Sequence, residues 1–327
     1  MSDDSPSPNS EPLKKSSRWR SILGFLGAQL FPVLVIVWIN GLIVRTTVRD
    51  SVDLVAPLYY ATPWPVLAVL TLPFIWTFRR QPKMVFGVIV LAHLFGGAWL
   101  LEDWRSGEPS KEPSDLRVVQ WNVDRPVSGI PTVAKRLRDY DADILAVSEP
   151  MPKIEPGDPE RWRREFPEYE AQFAPGNILC LIRGEAKLLQ TGFYGPASFY
   201  ALYDVLIRDR EFRVLQVDGN ANPTTPRRGS LIQLTALADS LRDRPLVVIG
   251  DFNAPRDSVH IAGMRTHFTN AFEAAGFGCG ATWPAPLPLL SLDQVWCGAG
   301  LIPVRCRHEV TFHSDHRPVV AELKFAP

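Results

Sequence analysis

The sequence predicts two parts: an apolar, membrane-spanning N-terminal part, then a layered domain of mixed strands and helices. Residues 1–101 contain nine Lys and Arg and five Asp and Glu, whereas residues 102–327 contain 26 and 30. Three long stretches of the first part lack charge, and in the second part short strand-like runs alternate with helical patterns. The 327 residues suffice for two ordinary domains. The net charge of zero excludes a polycationic nucleic-acid coat and an acidic tail protein.

Three transmembrane helices are predicted, over residues 22–44, 56–78 and 84–101. A helix needs about 20 apolar residues to cross the bilayer core. Prolines interrupt the first two segments, so a kinked or shortened second helix is expected. A cleaved signal peptide is disfavoured, because the first apolar segment exceeds the roughly 7–15 residues of such signals. Buried helices of a soluble protein are the other alternative, and length and missing charge argue against them.

Positive residues beside the segments predict the orientation of the chain. The first loop carries Arg45 and Arg49, which Asp50 and Asp53 offset. The unbalanced positive residues lie at the N-terminus and in the second loop: Lys14, Lys15, Arg18, Arg20, Arg79, Arg80 and Lys83. With three spans, a multi-pass protein of the cell membrane results, and the domain after residue 102 lies on the extracytoplasmic side. With only two spans, this orientation reverses.

Four regions follow from composition. Residues 1–17 are expected to form a disordered tail, and residues 18–101 the membrane anchor. Residues 102–116 are polar and turn-rich, which predicts a linker. Residues 117–327 then form one domain of ordinary size. The four cysteines include no CxxC pair, which disfavours zinc, and their spacing selects no particular disulfide.

The sequence after the linker predicts a domain with seven strands and two helices. The helices are expected over residues 231–242, where leucines recur at three- and four-residue spacing, and 258–275. The strand-like runs are Arg117–Val123, Ile144–Val147, Ile178–Ile182, Phe212–Val217, Leu246–Ile249, Asp293–Cys297 and Val319–Phe325.

Polar side chains follow several of these strands where each strand ends, and such ends collect functional sites. Carboxylate and amide oxygens suit Mg²⁺ or Mn²⁺, which bind phosphate oxygens, and a histidine beside acids serves as a general base. Metal-assisted hydrolysis of a phosphate ester by water fits this combination. The candidate residues are Asn122, Glu149, Asp218, Asp251, Asn253, Asp293, Asp315 and His316.

Five blocks in order resemble the endonuclease/exonuclease/phosphatase superfamily, across residues 117–325. The blocks are Val119-Gln120-Trp121-Asn122-Val123-Asp124, Leu145-Ala146-Val147-Ser148-Glu149, Ile249-Gly250-Asp251-Phe252-Asn253-Ala254, Ser291-Leu292-Asp293-Gln294-Val295 and Ser314-Asp315-His316-Arg317-Pro318. The resemblance implies an α+β fold, a four-layer αββα sandwich of two packed sheets flanked by helices.

The resemblance also implies roles for the candidate residues. Glu149 is the expected main metal ligand for Mg²⁺ or Mn²⁺, with Asn122 and Asp315 contributing. Asp251 is expected to activate the attacking water, and Asn253 to bind the phosphoryl oxygens. His316, paired with Asp293, is expected to act as a base or to contact the transition state.

One position departs from the family pattern. Asp218 stands at the end of the fourth predicted strand, where the family commonly has His or Tyr, and a carboxylate donates a proton at neutral pH only if its pKa is raised. The five matched blocks, together with the apolar N-terminal segments, give the expected function, a membrane-anchored phosphodiesterase or nuclease. The alternative is a non-catalytic phosphate-binding or scaffolding module of the same fold.

The sequence leaves the substrate open between a nucleic acid and a lipid headgroup. Residues 102–327 carry a net charge of −4, which weakens the nuclease interpretation because nucleic-acid binding draws on Lys and Arg. Tethering by the N-terminal helices makes the bilayer itself a partner and favours a lipid by proximity. No protein partner can be inferred.

Overall fold

The computed structural model describes residues 15–151 and 157–326 of the chain. The predicted N-terminal tail, residues 1–17, lies outside this range except for residues 15–17, which begin the first helix.

Two of the N-terminal helices are long and apolar enough to cross a membrane. They are α1 (Lys15–Thr46), which qualifies over Gln29–Thr46, and α5 (Pro82–Asp103). The apolar segment between them forms three short helices instead of one: α2 (Ala56–Ala61), α3 (Trp64–Thr71) and α4 (Pro73–Thr77). The prediction of three helices, each long enough to span, is therefore wrong for the middle segment.

Prolines explain this division of the middle segment. Pro57 and Pro65 occupy the first turns of α2 and α3, and Pro73 is the first residue of α4. Proline is tolerated there, but inside a helix it removes a backbone donor and clashes with the preceding turn, so three closely spaced prolines favour separate short helices over one continuous helix. Helices α3 and α4 pack against α5, where the rings of Trp64 and Phe95 stack with their centroids 5.7 Å apart.

The remainder of the chain forms two six-stranded sheets. The first sheet has the order β13-β14-β2-β3-β5-β4 and the second has the order β10-β12-β9-β8-β7-β6. The strands are β2 (Leu116–Asn122), β3 (Ile144–Ser148), β4 (Glu170–Ala174), β5 (Ile178–Ile182), β6 (Glu185–Gly195), β7 (Ser198–Ile207), β8 (Arg210–Asp218), β9 (Leu246–Asp251), β10 (Thr269–Asn270), β12 (Asp293–Cys297), β13 (Leu301–His308) and β14 (Val319–Phe325). A separate ribbon pairs β1 (Trp104–Arg105) with β11 (Gly278–Cys279).

Three hydrophobic clusters stack these sheets into a four-layer sandwich. One cluster fills the space between the sheets, with Val118, Tyr203 and Val247 among its members. The second lies on the outer face of the first sheet, under α6 (Ile130–Arg138) and α7 (Asp158–Glu165). The third lies on the outer face of the second sheet, under α8 (Arg228–Ser240) and a 3₁₀ helix (Val259–Thr266). The expected αββα architecture is confirmed.

Each sheet contains one parallel pair of strands, and both pairs end at the same edge of the sandwich. Strand β2 runs parallel to β3, and β8 runs parallel to β9. Gly250 in β9 permits the second pair, because a Cβ atom there would lie 1.9 Å from the carbonyl oxygen of Val217. This edge receives the carboxyl ends of four strands.

Two sequence predictions differ from the structure. The helix predicted over residues 258–275 is wrong: the segment divides into the 3₁₀ helix, β10 and the short α9 (Ala271–Ala275). Asn270 interrupts it, because its side chain accepts hydrogen bonds from the backbone of the next helix and caps that helix. The segment predicted as a linker, residues 102–116, contains the end of α5 and strand β1. All four cysteines are free thiols.

Candidate active site

The candidate residues converge where the parallel strands end. Asp251, the last residue of β9, pairs in register with Asp218 of β8 on one side and with Asp293 of β12 on the other. In the facing sheet, Asn122 ends β2, and Glu149 follows β3 directly. The two sheets therefore place these five side chains around one point, although they are spread over more than 170 positions of the chain.

His316 and Asp293 form a buried pair at this point. The Nδ1 atom of His316 lies 2.7 Å from Oδ2 of Asp293 and 3.9 Å from Oδ2 of Asp251. Burial alone would lower the pKa of His316, but the carboxylates of Asp293 and Asp251 outweigh it and raise the pKa to about 10. Burial and the charge of Asp293 also raise the pKa of Asp251, to about 6. The group as a whole favours bound positive charge.

Asn122 joins the two sheets of the site. Its amide nitrogen Nδ2 lies 3.0 Å from Oδ2 of Asp251 and 3.3 Å from Oε1 of Glu149, and donates to both. Its Oδ1 accepts from the backbone nitrogen of Asp124 at 3.0 Å. Glu149 has a φ of 53°, a conformation that is costly for this residue type, and it forms an ion pair with Arg125 at 3.1 Å. Such strain collects at functional sites.

Asn253 lies beside Asp251 but its amide is already engaged. Its backbone nitrogen donates to Oδ1 of Asp251 at 2.8 Å, and its Nδ2 donates to the carbonyl oxygen of Gly219 at 2.9 Å. Gly219 permits this approach, because a Cβ there would lie 2.3 Å from the carbonyl oxygen of Phe252. Asn253 thus fixes the loop after β9 against the loop after β8.

Asp218 lies within this acidic group. Burial, followed by the charges of Asp251 and Glu149, raises the pKa of Asp218 well above its usual range. The hydroxyl of Tyr194 is buried nearby and has no hydrogen-bond partner among the described residues. Burial and the charge of Asp218 raise the pKa of Tyr194. These surroundings favour the protonated form of the Asp218 carboxyl group.

Asp315 lies at the mouth of the site. Its side chain is 48% exposed, and its Oδ1 lies 3.9 Å from Nε2 of His316. Trp283 donates from Nε1 to Oδ2 of Asp315 at 2.9 Å and so fixes the carboxylate.

The donor set fits a hard divalent cation. One ligand atom each from Asp251, Asp293 and His316 lie within 4.8 Å of one another. Carboxylate oxygens of Asp124, Glu149 and Asp315 line the same cavity, and burial together with the charges of Asp315 and Glu149 raises the pKa of Asp124. Excess negative charge with oxygen donors is the chemistry that Mg²⁺ and Mn²⁺ prefer. The geometric cluster differs from the ligand set expected from sequence, Glu149, Asn122 and Asp315.

These residues form one side of a cavity of about 510 Å³. Sequence reasoning assigned no role in the site to two of its residues, Asp124 and Tyr60. Asp124 could have been found, since it stands two positions after Asn122 in a recognised block. Tyr60 belongs to α2 in the apolar N-terminal part of the chain, and no sequence signal associates it with the site. The full lining is Pro57, Tyr60, Ala61, Asn122, Asp124, Glu149, Ala221, Pro223, Arg227, Asp251, Asn253, Pro255, Trp283, Leu290, Leu292, Asp315 and His316.

Solved structures show the same fold. An endonuclease/exonuclease/phosphatase family protein from Bacteroides thetaiotaomicron is 14% identical, with a TM-score of 0.55 over 66% of this chain and 100% of that one. A mannosyl-6-phosphatase from the same organism is 14% identical, with a TM-score of 0.53 over 64% and 100%. The catalytic domain of human Nocturnin with bound sulfate is 16% identical, with a TM-score of 0.51 over 66% and 96%.

Sequence comparison gives the family directly. No curated protein matches the chain. The family model described as Endonuclease/Exonuclease/phosphatase family matches residues 119–316, which include all eight candidate residues. The members of this family are phosphoesterases that generally use divalent metals. With its sandwich fold and its acidic, histidine-containing edge, the chain belongs to the endonuclease/exonuclease/phosphatase family.

Proposed function

We propose that this protein is a membrane-anchored hydrolase of phosphate diesters that depends on Mg²⁺ or Mn²⁺. The observation that carries the proposal is the His316–Asp293 pair, 2.7 Å apart and beside Asp251, facing Asn122 and Glu149 across one cavity. A substrate phosphate in this cavity meets an acidic cation site and a charged imidazole at once. Water is the proposed nucleophile, because the cavity lining among the described residues includes no serine or cysteine.

Each residue of the site has a proposed role. Glu149, Asn122 and Asp315 would hold the cation, which would neutralise charge on the phosphate when bound. Asp251 orients or deprotonates the attacking water. His316, held by Asp293, contacts the phosphoryl oxygens as an imidazolium. Asp218 keeps a proton for the leaving oxygen, and Asn253 positions the loop that carries Asp251 and contacts the phosphate.

The arrangement of the N-terminal helices supports an extracytoplasmic active site. The end of α1, helix α2 and the end of α5 all lie beside the catalytic domain, while the loop Phe78–Gln81 joins α4 to α5 at the other end. Arg79, Arg80 and Lys83 lie at that opposite end, and positive residues favour the cytoplasmic side. This placement requires that α3 and α4, which together form only a short apolar segment (Trp64–Thr77), return the chain across the bilayer between α1 and α5.

The test is hydrolysis by the full chain, purified in detergent, of bis-p-nitrophenyl phosphate, single-stranded DNA and phospholipid, with Mg²⁺, Mn²⁺ or chelator. We expect chelator to abolish hydrolysis, and Glu149→Gln and His316→Ala to lower kcat by roughly 10²–10⁴-fold. Glu160→Gln and His267→Ala, both on the exposed surface, are the matched controls. Hydrolysis that is indifferent to chelator and to both site variants would contradict the proposal.

The second candidate function is a phosphate-binding or scaffolding module without turnover. The replacement of the family histidine or tyrosine by Asp218 favours it. It predicts metal or phosphate binding, measured by calorimetry, with no hydrolysis of any ester in the same panel.

A further inference from the structure

One wall of the active-site cavity comes from the membrane anchor. Pro57, Tyr60 and Ala61 of α2 line the cavity that also contains His316 and Asn122. Their spacing of three and four residues places them on the same face of the helix. Apart from the tyrosine hydroxyl, this face offers only carbon atoms.

Several contacts hold α2 in this position. The guanidinium of Arg227 lies 5.0 Å from the ring centroid of Tyr60, and the Tyr60 hydroxyl donates to Oδ2 of Asp50 at 3.2 Å. Asp50 in turn accepts from the backbone nitrogen of Val259 at 3.0 Å. Helix α2 also packs into a hydrophobic cluster with Val44 and, from the catalytic domain, Leu290. The wall is therefore part of the folded site.

Residues of the catalytic domain add further apolar lining to the same cavity. Leu292 is buried, Leu290 is partly buried, and Pro255 and Pro223 also belong to this lining. The lining thus combines the charged residues, at which a phosphate would react, with apolar residues from both the catalytic domain and α2. This combination matches an amphipathic ester.

The charges of the cavity argue against a nucleic-acid backbone. Among the described residues, Arg227 is the only Lys or Arg of the lining. Its guanidinium already donates to the carbonyl oxygens of Asn253 and, at 3.2 Å, of Asn220. Nucleic-acid binding requires several cations that are free to contact phosphates.

The surroundings of the cavity are apolar as well. Val127, Leu287 and Phe312 are each about four-fifths exposed, and they lie in loops that carry Asp124, Trp283 and Asp315 of the site. Large apolar residues gathered at one exposed edge indicate an interaction surface. Ala61 in the cavity wall lies three residues before Trp64, the first residue of the apolar helix α3, so the two residues are at most roughly 10 Å apart along the chain.

We propose that the substrate is a phosphodiester lipid of the membrane that anchors the protein, with its apolar part against Pro57, Tyr60 and Ala61. This inference rests on the proposed function. Water adds to phosphorus, the bond between phosphorus and the leaving alcohol oxygen breaks, and that oxygen takes up a proton. The products are an alcohol and a phosphate monoester, one of which stays in the bilayer.

The test compares Ala61→Trp with Ala236→Trp, a control on the exposed face of α8. The full chain in dodecyl maltoside micelles is given dioleoylphosphatidylglycerol, bis-p-nitrophenyl phosphate or a single-stranded oligodeoxynucleotide. We expect Ala61→Trp to lower the ratio of kcat/KM for the lipid to that for the soluble diester at least tenfold. Ala61→Val is expected to lower it less, and Ala236→Trp to change it by under twofold; thermal unfolding reports whether each variant folds.

The outcomes separate the two proposals. Hydrolysis of the oligonucleotide or the soluble diester without hydrolysis of the lipid would overturn the lipid assignment and leave the proposed function standing. An equal ratio in Ala61→Trp, Ala61→Val and the wild type would do the same. Hydrolysis of no ester would overturn both.

Discussion

His316 and Asp293 form the shortest histidine–carboxylate pair of the described catalytic edge, with Nδ1 and Oδ2 2.7 Å apart. The Nε2 atom of Gln120 donates to the other oxygen of Asp293 at 3.4 Å, and the backbone nitrogen of Asp293 donates to Oγ1 of Thr282 at 3.1 Å. Both oxygens of the carboxylate are therefore directed by protein contacts. The pair holds the imidazole ring in one orientation toward the cavity.

Asp293→Asn is expected to lower kcat about 10²-fold or more, because the imidazole loses the charge that keeps it protonated and oriented. The measurement is steady-state hydrolysis of bis-p-nitrophenyl phosphate as a function of pH. Asp239→Asn is the matched control, since Asp239 forms a surface pair with His267 at 3.0 Å. Equal rates for Asp293→Asn and the wild type would remove the pair from the mechanism.

Asp218→Asn tests whether this carboxyl donates the proton to the leaving oxygen. We expect a loss of about 10²-fold or more with an alkyl diester and of less than about tenfold with a p-nitrophenyl ester. A nitrophenolate leaves without a proton, whereas an alkoxide does not. Asp209→Asn, at an exposed turn between β7 and β8, is the control. Equal losses with both esters would contradict the role.

Arg256→Met tests the junction between anchor and catalytic domain. The guanidinium is buried and contacts Oδ1 of Asp103 at 3.3 Å and Oε1 of Glu273 at 3.6 Å. Removing it leaves the buried Asp103 without this cation, which is expected to cost about 3 kcal/mol of unfolding free energy. Thermal or denaturant unfolding in detergent measures this change. The control, Arg242→Met, removes an exposed pair and should cost under about 1 kcal/mol.

The protein is expected to lose stability in acid because of the buried His308. Burial, reinforced by the charge of Arg256, lowers the pKa of His308 to about 3. The unfolded chain has the ordinary value of about 6.5, so below that pH it binds a proton that the folded state does not. The contribution of neutral His308 to the free energy of unfolding is therefore fully present above pH 6.5. It decreases as the pH falls toward 3, by up to about 1.4 kcal/mol per pH unit.

His308→Phe should reduce this acid loss, measured as the difference in Tm of metal-free protein between pH 7.5 and 4.5. The ring position suits phenylalanine, because His308 and Phe272 have centroids 4.6 Å apart. His267→Phe, on the exposed surface, is the control and should keep the wild-type difference. An unchanged acid loss in His308→Phe would assign the effect to other groups.

The sequence predicted the catalytic edge well because its signals are local. Asn122, Glu149 and Asp251 each follow a short apolar strand, and strand ends meet at one edge whatever the chain between them does. All seven predicted strands exist, within a few residues. The helix over 258–275 failed because Asn270 caps a new helix in the middle of an apolar pattern.

Contacts between segments that are distant along the chain could not be predicted from the sequence. Tyr60 reaches the cavity through its stacking with Arg227, 167 positions away, and neither residue carries a motif. Strands such as β6 and β7 were missed because they lack a clean alternating pattern: β6 is mostly exposed, and β7 is mostly buried. The middle apolar segment was predicted to be kinked, but its prolines divide it into three helices.

The ribbon of β1 and β11 has a practical consequence for protein production. Trp104 pairs with Cys279 and Arg105 with Gly278, so the chain that follows α5 immediately forms a β-strand pair with the catalytic domain. A water-soluble fragment that starts at residue 106 would lose this strand, the partner of Arg256 and one side of the pocket. Weak turnover by such a fragment would reflect the loss of these contacts. Activity is therefore best measured with the intact chain, extracted in detergent.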